Sequence, residues 1–366
     1  IKDWNIKHDD IKNISFKKYK GNISVIAGGP PCQPFSLGGK HKAFNDHRDM
    51  FPQAVRAVRE SKPESFVFEN VKGLLRKSFS AYFGYIILQL TYPNIIKTEN
   101  ESWEKHLSRL EEIQTKGTYR GLKYNVVFRL LNAADYGVPQ KRERVFIVGF
   151  RNDLAIEWSF PKATHSKDSL LWEQWVTGGY WDRLDIPISD RPPSNERSSR
   201  LSSQLRNKYG MFQPEEKSWV TVREAISDLP CPKTNNKYNN HQFRDGARSY
   251  PGHTGSPIDE PSKALKAGDH GVPGGENMIR FNDGSIRYFT VREAARVQTF
   301  PDDWEFIGSI SQQYKQIGNA VPVNLGYHIG NTILKMLNGE VKEEVEEKIS
   351  VQQQMFTFAN KFLCSG

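Results

Sequence analysis

The sequence predicts an α/β protein with an open, mostly parallel sheet and a smaller, loop-rich second domain. Four short apolar runs have the character of buried strands, at residues 23–27, 65–68, 125–131 and 145–150. Between the first two runs, Phe51, Val55 and Val58 recur at helical spacing with charged residues opposite. Strands that alternate with helical segments are typical of a parallel sheet, whose ligands bind beyond the carboxyl ends of the strands.

Composition argues against a membrane-spanning, secreted or disulfide-linked protein. The chain has 366 residues, enough for two domains, and contains no run of about 18 apolar residues that would span a membrane. Its polar, charged start is unlike a signal peptide. Cys32, Cys231 and Cys364 are widely spaced and odd in number, which argues against a disulfide framework or a zinc site and favours the cytoplasm. The net charge of +9 suits a polyanionic partner.

Cys32 lies in the most informative segment. The apolar run at 23–27 ends in Gly28-Gly29-Pro30-Pro31, and the thiol follows at once. Glycines permit tight turns and prolines restrict the backbone, so the segment predicts a thiol held in one place on a rigid loop. The alternative is a small buried thiol, as most free cysteines are. Because a buried structural cysteine does not need such a loop, the sequence favours a functional thiol.

Four more segments accompany this loop in a definite order. They are Glu69-Asn70-Val71 after a predicted strand, Gln140-Lys141-Arg142-Glu143-Arg144 before another, Thr290-Val291-Arg292-Glu293 as a helix cap, and Gln316-Ile317-Gly318-Asn319-Ala320-Val321-Pro322. Together with Pro31-Cys32-Gln33 they resemble the motifs of the DNA cytosine-C5 methyltransferases. The resemblance covers most of the chain. It implies a Rossmann-like fold that binds S-adenosylmethionine, double-stranded DNA as substrate, and a bacterial restriction–modification setting.

The resemblance assigns the catalytic roles to four residues. The thiolate of Cys32 attacks C6 of cytosine, which makes C5 nucleophilic. Glu69 acts at N3 as a hydrogen-bond or proton donor, and an apolar pocket is expected to raise its pKa. Arg144, together with Arg142, holds the carboxylate and the cytosine carbonyl, for which a forked guanidinium is well suited. An ordinary surface salt bridge is the alternative for the arginines. A stacked cytosine must also be flipped out of the duplex to react.

The resemblance also implies the residues around the cofactor and the DNA. S-adenosylmethionine is expected to contact Asp10, Ile11, Pro30, Met50, Asn319 and Ala320. DNA is expected to contact Gln33, Ser36, Gly39, Lys40, Gln140 and Arg287. The glycines after Cys32 predict a mobile loop that closes over the DNA, with a plain surface loop as the alternative.

One departure from the family pattern concerns the cofactor. The Phe-x-Gly-x-Gly loop with which the family begins does not occur in this sequence, and Asp10-Ile11 is the first family-like feature. The sequence is therefore expected to be truncated at its N-terminus. Two alternatives follow: a DNA-binding subunit or inactive fragment that depends on a partner polypeptide, or an RNA cytosine-C5 methyltransferase. The enzyme is otherwise expected to be a monomer without a membrane association.

The motifs also predict the domain organisation. Residues 1–155 are assigned to the catalytic domain and 156–286 to a target-recognition domain, whose many Arg, Lys, Asn and Gln side chains are able to read base edges. Residues 287–340 carry the closing motifs and are expected to pack on the catalytic domain, followed by a C-terminal tail at 341–366.

Overall fold

The computed structural model describes residues 4–31, 49–234, 238–267 and 277–340. The chain divides into two units. Unit 1 comprises residues 1–130, 144–160 and 332–366, and unit 2 comprises residues 131–143 and 161–331.

Helices and strands are numbered separately in chain order. The helices are α1 (Phe51–Ser61), α2 (Ser80–Thr91), α3 (Trp103–Lys116), α4 (Lys167–Trp172), α5 (Gly179–Arg183), α6 (Glu196–Tyr209), α7 (Val222–Ile226), α8 (Val291–Val297), α9 (Ile310–Asn319) and α10 (Val323–Leu337). The strands are β1 (Val25–Gly28), β2 (Ser65–Val71), β3 (Tyr124–Asn132), β4 (Gln140–Lys141), β5 (Glu143–Arg151), β6 (His165–Ser166), β7 (Lys217–Ser218), β8 (Ser256–Pro257), β9 (Ser262–Lys263), β10 (Met278–Arg280) and β11 (Ile286–Tyr288).

A four-stranded sheet organises unit 1, in the order β1-β2-β5-β3. β1 and β2 run parallel, as predicted, whereas β2 and β5 are antiparallel, so the sheet is mixed. Each of the four strands overlaps one of the four apolar runs seen in the sequence, although β1 begins only at Val25, and the predicted α/β class is confirmed. β1 lies at the edge of the sheet and is largely exposed, with Val25 38% accessible.

The core of unit 1 forms between this sheet and helices α1, α2 and α3. Phe51 and Val58 of α1 are fully buried with Phe66 of β2 and Tyr124 of β3. α2 is apolar on nearly all sides and buries eight of its residues, so its sequence has little of the periodicity that marks an amphipathic helix. The helix pattern found at residues 51–58 corresponds to α1, which continues to Ser61.

Unit 2 contains short strands and helices that pack around buried apolar side chains. One cluster joins Val222, Ile258 and Ile279 to Phe289, Tyr314 and Ile317. Residues 287–331 therefore share a core with residues of the predicted recognition domain. The sequence did not predict this association, because it depends on which apolar side chains are buried together and not on a local pattern.

Candidate active site

The backbone that leads to Cys32 is held at two points in unit 1. The side-chain amide of Asn70, at the end of β2, donates to the Pro30 carbonyl at 2.9 Å. The Met50 amide donates to the Pro31 carbonyl at 3.2 Å. The predicted site residues Cys32, Gln33, Ser36, Gly39 and Lys40 themselves lie outside the described residues.

Glu69 lies beside the start of this loop. A Cβ atom added to Gly29 would come 3.5 Å from Glu69 Oε2, so the backbone before Cys32 runs close to the carboxylate. The parallel pairing of β1 with β2, which sets Gly28 against Phe68, brings the two strand ends together. The backbone at Gly29, three residues before Cys32, therefore lies beside Glu69, while the placement of the thiol itself stays a prediction.

Arg144 forms an ion pair with Glu69, with 2.9 Å between Nε and Oε1. Antiparallel register sets Glu69 against Phe146 and Val71 against Arg144, so Glu69 and Arg144 are diagonal neighbours on one face of the sheet. Their side chains are 16% and 18% exposed. Burial lowers the pKa of the Arg144 guanidinium, and the Glu69 carboxylate opposes that effect.

The sequence led to two expectations for Glu69, an apolar pocket around its carboxyl group and an arginine that holds it. The structure places the Arg144 guanidinium beside the carboxylate. Because both side chains keep some accessible surface, a planar polar ligand can reach the pair without unfolding the sheet. The arrangement offers adjacent acceptors and donors of the kind that bind a pyrimidine edge.

Arg142 lies in unit 2 and is only 2% exposed. Its Nη2 atom donates to the Gly318 carbonyl at 2.6 Å and to the Ala320 carbonyl at 3.3 Å, and its Nη1 donates to the Leu265 carbonyl at 3.3 Å. The structure therefore places the two predicted catalytic arginines in different surroundings. Arg144 pairs with a carboxylate, whereas Arg142 donates to backbone carbonyls.

Gln140 and Gln298 complete a buried polar network with Arg142, and both are 0% exposed. Gln140 Nε2 donates to Gln298 Oε1 at 2.5 Å, and Gln140 Oε1 accepts from the Leu265 amide at 3.1 Å. Gln298 Nε2 donates to the Ala320 carbonyl at 2.6 Å. With both ends engaged and no accessible surface, the Gln140 side chain is not available for the DNA contact predicted for it.

The predicted cofactor residues fall in both units. In unit 1, Asp10 and Ile11 are exposed, and one Asp10 carboxylate oxygen caps its own turn by accepting from the Lys12 amide at 2.9 Å. Ile11 keeps an accessible apolar side chain. In unit 2, Asn319 is exposed at the end of α9, between two residues whose carbonyls Arg142 binds. Within unit 1, the Asp10 carboxylate and the accessible Ile11 side chain supply an acceptor and an apolar surface of the kind that a nucleoside needs, so these two residues fit the cofactor.

Met50 is held through its neighbour Asp49. The Tyr82 hydroxyl donates to Asp49 Oδ2, and the Phe51 amide donates to Asp49 Oδ1 at 3.0 Å. Asp49, the residue before the N-cap Met50, therefore accepts from the first amide of α1 and fixes the backbone on either side of Met50.

Arg287, predicted to contact DNA, pairs with Glu293 through two hydrogen bonds of 2.6 Å. Glu293 also accepts from the Thr290 amide at 2.8 Å, which completes the predicted cap at the start of α8. The guanidinium thus has a carboxylate partner within unit 2, and its side chain is 18% exposed.

Sequence reasoning missed Gln298 and the role of Asn70. Gln298 follows α8 without any periodic signal, so only its burial reveals it. Asn70 lies within a recognised motif, and a polar residue at a strand end beside a proline-rich loop was the available signal.

Two negative findings apply to the part of the chain that the structure describes. It contains no group of three or more His, Cys, Asp or Glu side chains that could hold a metal ion. It also has no helix long and apolar enough to cross a membrane.

Comparison with known proteins decides the family. The model of the C-5 cytosine-specific DNA methylases matches residues 1–335. The chain belongs to this family. It is therefore a DNA cytosine-5 methyltransferase, and the motif-based prediction is confirmed.

Three similar relatives are Type II methyltransferases. Type II methyltransferase M.PspPI of Psychrobacter sp. (strain TA137) is 35% identical over 94% of this chain and 71% of its own length. M.Eco47II of Escherichia coli is 32% identical over 92% of this chain and 69% of its own. M.NgoPII of Neisseria gonorrhoeae is 31% identical over 90% and 82%. The solved structure of Entamoeba histolytica methyltransferase EhMeth, at 15% identity and a TM-score of 0.47, is too distant to bear on the substrate.

Proposed function

We propose that the enzyme methylates C5 of cytosine within a specific sequence of double-stranded DNA, with Cys32 as the nucleophile. The observation that supports this most strongly is the Glu69–Arg144 pair at 2.9 Å beside the backbone that leads to Cys32. The names of the relatives, all Type II methyltransferases, support a restriction–modification role in a bacterial cytoplasm.

Cys32 and Glu69 divide the chemistry between them. The Cys32 thiolate forms a bond to C6, and the electron pair of the C5–C6 double bond moves to C5. Glu69 stabilises the charge that develops on the ring through a hydrogen bond at N3. Loss of the C5 proton and departure of the Cys32 thiolate later restore the double bond.

Arg144 acts at the same edge of the cytosine ring as Glu69. Its hydrogen bond from Nε fixes the carboxylate of Glu69, and its guanidinium donors suit the cytosine carbonyl. Both groups must reach the pyrimidine edge, so the cytosine has to leave the duplex stack. We assign no contact with cytosine to Arg142, because three carbonyls occupy it.

S-adenosylmethionine, when bound, supplies an electrophilic methyl group for C5. Asp10, Ile11 and Met50 in unit 1 and Asn319 in unit 2 are the described residues that we assign to it. The Asp10 carboxylate would accept from an amino group, and Ile11 would pack on a purine ring. Pro30 and Ala320 are assigned to the cofactor through their backbone, which hydrogen bonds to their carbonyls fix in place. Asn70 donates to the Pro30 carbonyl, and Arg142 and Gln298 donate to the Ala320 carbonyl.

The test combines methyl transfer with capture of the covalent adduct. The full chain is incubated with tritiated S-adenosylmethionine and duplex DNA, and separately with a duplex in which 5-fluorocytosine blocks loss of the C5 substituent. We expect tritium in the DNA and a denaturant-stable protein–DNA adduct, both lost in Cys32→Ser. Cys231→Ser is the matched control, because Cys231 is an exposed free cysteine in unit 2.

Two results would contradict the proposal. One is transfer that survives in Cys32→Ser at the wild-type rate. The other is wild-type protein that methylates RNA but leaves cytosine in every duplex unmodified, which would favour an RNA substrate instead.

A further inference from the structure

The outer face of α6 (Glu196–Tyr209) in unit 2 carries side chains suited to reading DNA bases. At about 100° per residue, Arg197, Arg200, Ser203, Gln204 and Asn207 share one side of the helix, and all five are exposed. The opposite side contains the buried Ser198 and Leu205. Arginine, glutamine and asparagine form the bidentate contacts that distinguish guanine and adenine in the major groove.

α6 is anchored to unit 2 through its inner face and its C-terminal end. Asp168 accepts hydrogen bonds from Lys208 Nζ at 2.7 Å and from the Tyr209 hydroxyl at 2.8 Å. The ring of Tyr209 packs edge-to-face on Trp172 with centroids 6.3 Å apart. A helix held in this way presents its outer side chains in a defined register, which base readout requires.

The charge of α6 favours a polyanion. The helix has four cationic side chains and a single carboxylate, Glu196, in its first turn. Lys208 is used by Asp168, and Arg206 donates to the Val176 carbonyl, so Arg197 and Arg200 are the cations on the outer face. α3 in unit 1 is a useful contrast, since it also has 14 residues but carries three carboxylates, Glu104, Glu111 and Glu112.

An apolar tip follows the helix. Met211 and Phe212 are 94% and 82% exposed, although two adjacent large apolar side chains are costly to leave in water. Gly210 ends α6 with φ +66° and ψ −126°, a backbone conformation that glycine adopts readily and that directs the chain away from the helix axis. The tip therefore adds, next to α6 in the sequence, an exposed apolar surface that suits the methyl group of thymine.

We propose that α6 binds in the major groove of double-stranded DNA and that Arg200, Gln204 and Asn207 read base edges, with Met211 and Phe212 in apolar contact with an adjacent base pair. The inference rests on the proposed function for its substrate class, and it assigns sequence selection to one helix of unit 2. α6 is about 21 Å long, and the groove admits a helix of its diameter.

The test separates base readout from catalysis. The full chain selects duplexes from a library with randomised sequence, and methylation of the same library is then mapped by bisulfite sequencing. Variants Arg200→Ala, Gln204→Ala, Asn207→Ala and Phe212→Ser are compared with wild type. Lys105→Ala, on the exposed face of α3, is the matched control. Thermal unfolding of each variant verifies that the fold is retained.

We expect each base-reading variant to relax one position of the selected sequence by roughly 5- to 150-fold, the range of a lost bidentate contact. Lys105→Ala should select the wild-type sequence. The inference is overturned if the α6 variants select and methylate the wild-type sequence unchanged, or if wild type selects no sequence. Wild type that selects a sequence without methylating it would leave this inference in place and overturn the proposed function.

Discussion

Arg142 and Arg144 are two residues apart, yet the structure uses them in opposite ways. Arg144 pairs with one carboxylate in unit 1 and keeps 18% of its side chain exposed. Arg142 in unit 2 is 2% exposed and binds three backbone carbonyls from two distant segments. The difference shows that a motif identifies residue types, whereas the partners of each side chain decide whether it serves chemistry or architecture.

The physical reason lies in the kind of partner. A carboxylate beside accessible surface can replace a hydrogen bond to a neighbouring side chain by a hydrogen bond to a substrate. Carbonyls in a dry interior have no such alternative, because an unsatisfied buried carbonyl costs about 1–3 kcal/mol. Arg142 is therefore committed to holding residues 265 and 318–320. Gly318 is packed so closely there that a Cβ would lie 2.6 Å from the Ala267 amide nitrogen.

The largest expected effect is on catalysis through Glu69. Glu69→Gln keeps the shape of the side chain but removes its charge and its capacity for proton transfer. We expect the rate of methyl transfer to fall by about 10²–10⁴-fold, the usual contribution of a positioned acid–base group. Single-turnover transfer to duplex DNA measures it. Glu104→Gln, an exposed carboxylate on α3, is the control, and an equal loss there would contradict the assignment.

The second prediction compares the loss of Arg142 with the loss of Arg144. Arg142→Met should lower the free energy of unfolding of unit 2 by about 2–5 kcal/mol, since it removes a buried donor to the carbonyls of Leu265, Gly318 and Ala320. Arg144→Met leaves one carboxylate without its partner, and because that carboxylate keeps some accessible surface the variant should lose less stability, about 1–3 kcal/mol, while abolishing most methyl transfer. Urea unfolding followed by tryptophan fluorescence reports mainly on unit 2, which contains Trp172, Trp175, Trp181, Trp219 and Trp304. The comparison fails if the two variants lose stability equally.

A smaller effect is expected at Gln298. Gln298→Ala removes donors to the carbonyls of Ile317 and Ala320 and leaves Gln140 without its partner, so about 1–3 kcal/mol of stability should be lost. Asn319 lies between these carbonyls, so the KM for S-adenosylmethionine should rise more than kcat falls. A change in kcat alone would argue against the assignment of Asn319 to the cofactor.

The smallest expected effect is on the pH dependence of stability. Burial lowers the pKa of His165 in unit 2 below its ordinary value of 6.5, with Lys217 as a further cause. The neutral ring is favoured in the folded state, so its contribution to stability is complete above pH 6.5 and is lost as pH falls through the lower, folded-state pKa. His165→Gln should weaken the dependence of the unfolding midpoint on pH as the pH falls below 6.5. An unchanged slope would show that His165 does not contribute.

Prediction from sequence succeeded where local pattern and burial agree. The four apolar runs became the strands of the central sheet, and Thr290 with Glu293 forms the predicted cap of α8. α2 was not predicted, because a helix buried on nearly all sides lacks an amphipathic period. The core that residues 287–331 share with residues 222–279 was not predicted either, since apolar side chains match more than one core and only packing selects among them.

The sequence by itself determined the family and the α/β class, and it predicted Cys32, Glu69 and Arg144 as site residues, because these depend on residue types at definite places in the chain. The tertiary structure decided which groups meet. It paired Arg144 with Glu69 through the register of β2 and β5, and it buried Gln140 and Arg142 against carbonyls far away in sequence. Such contacts depend on strand register and core packing, which bring together residues that no local pattern connects.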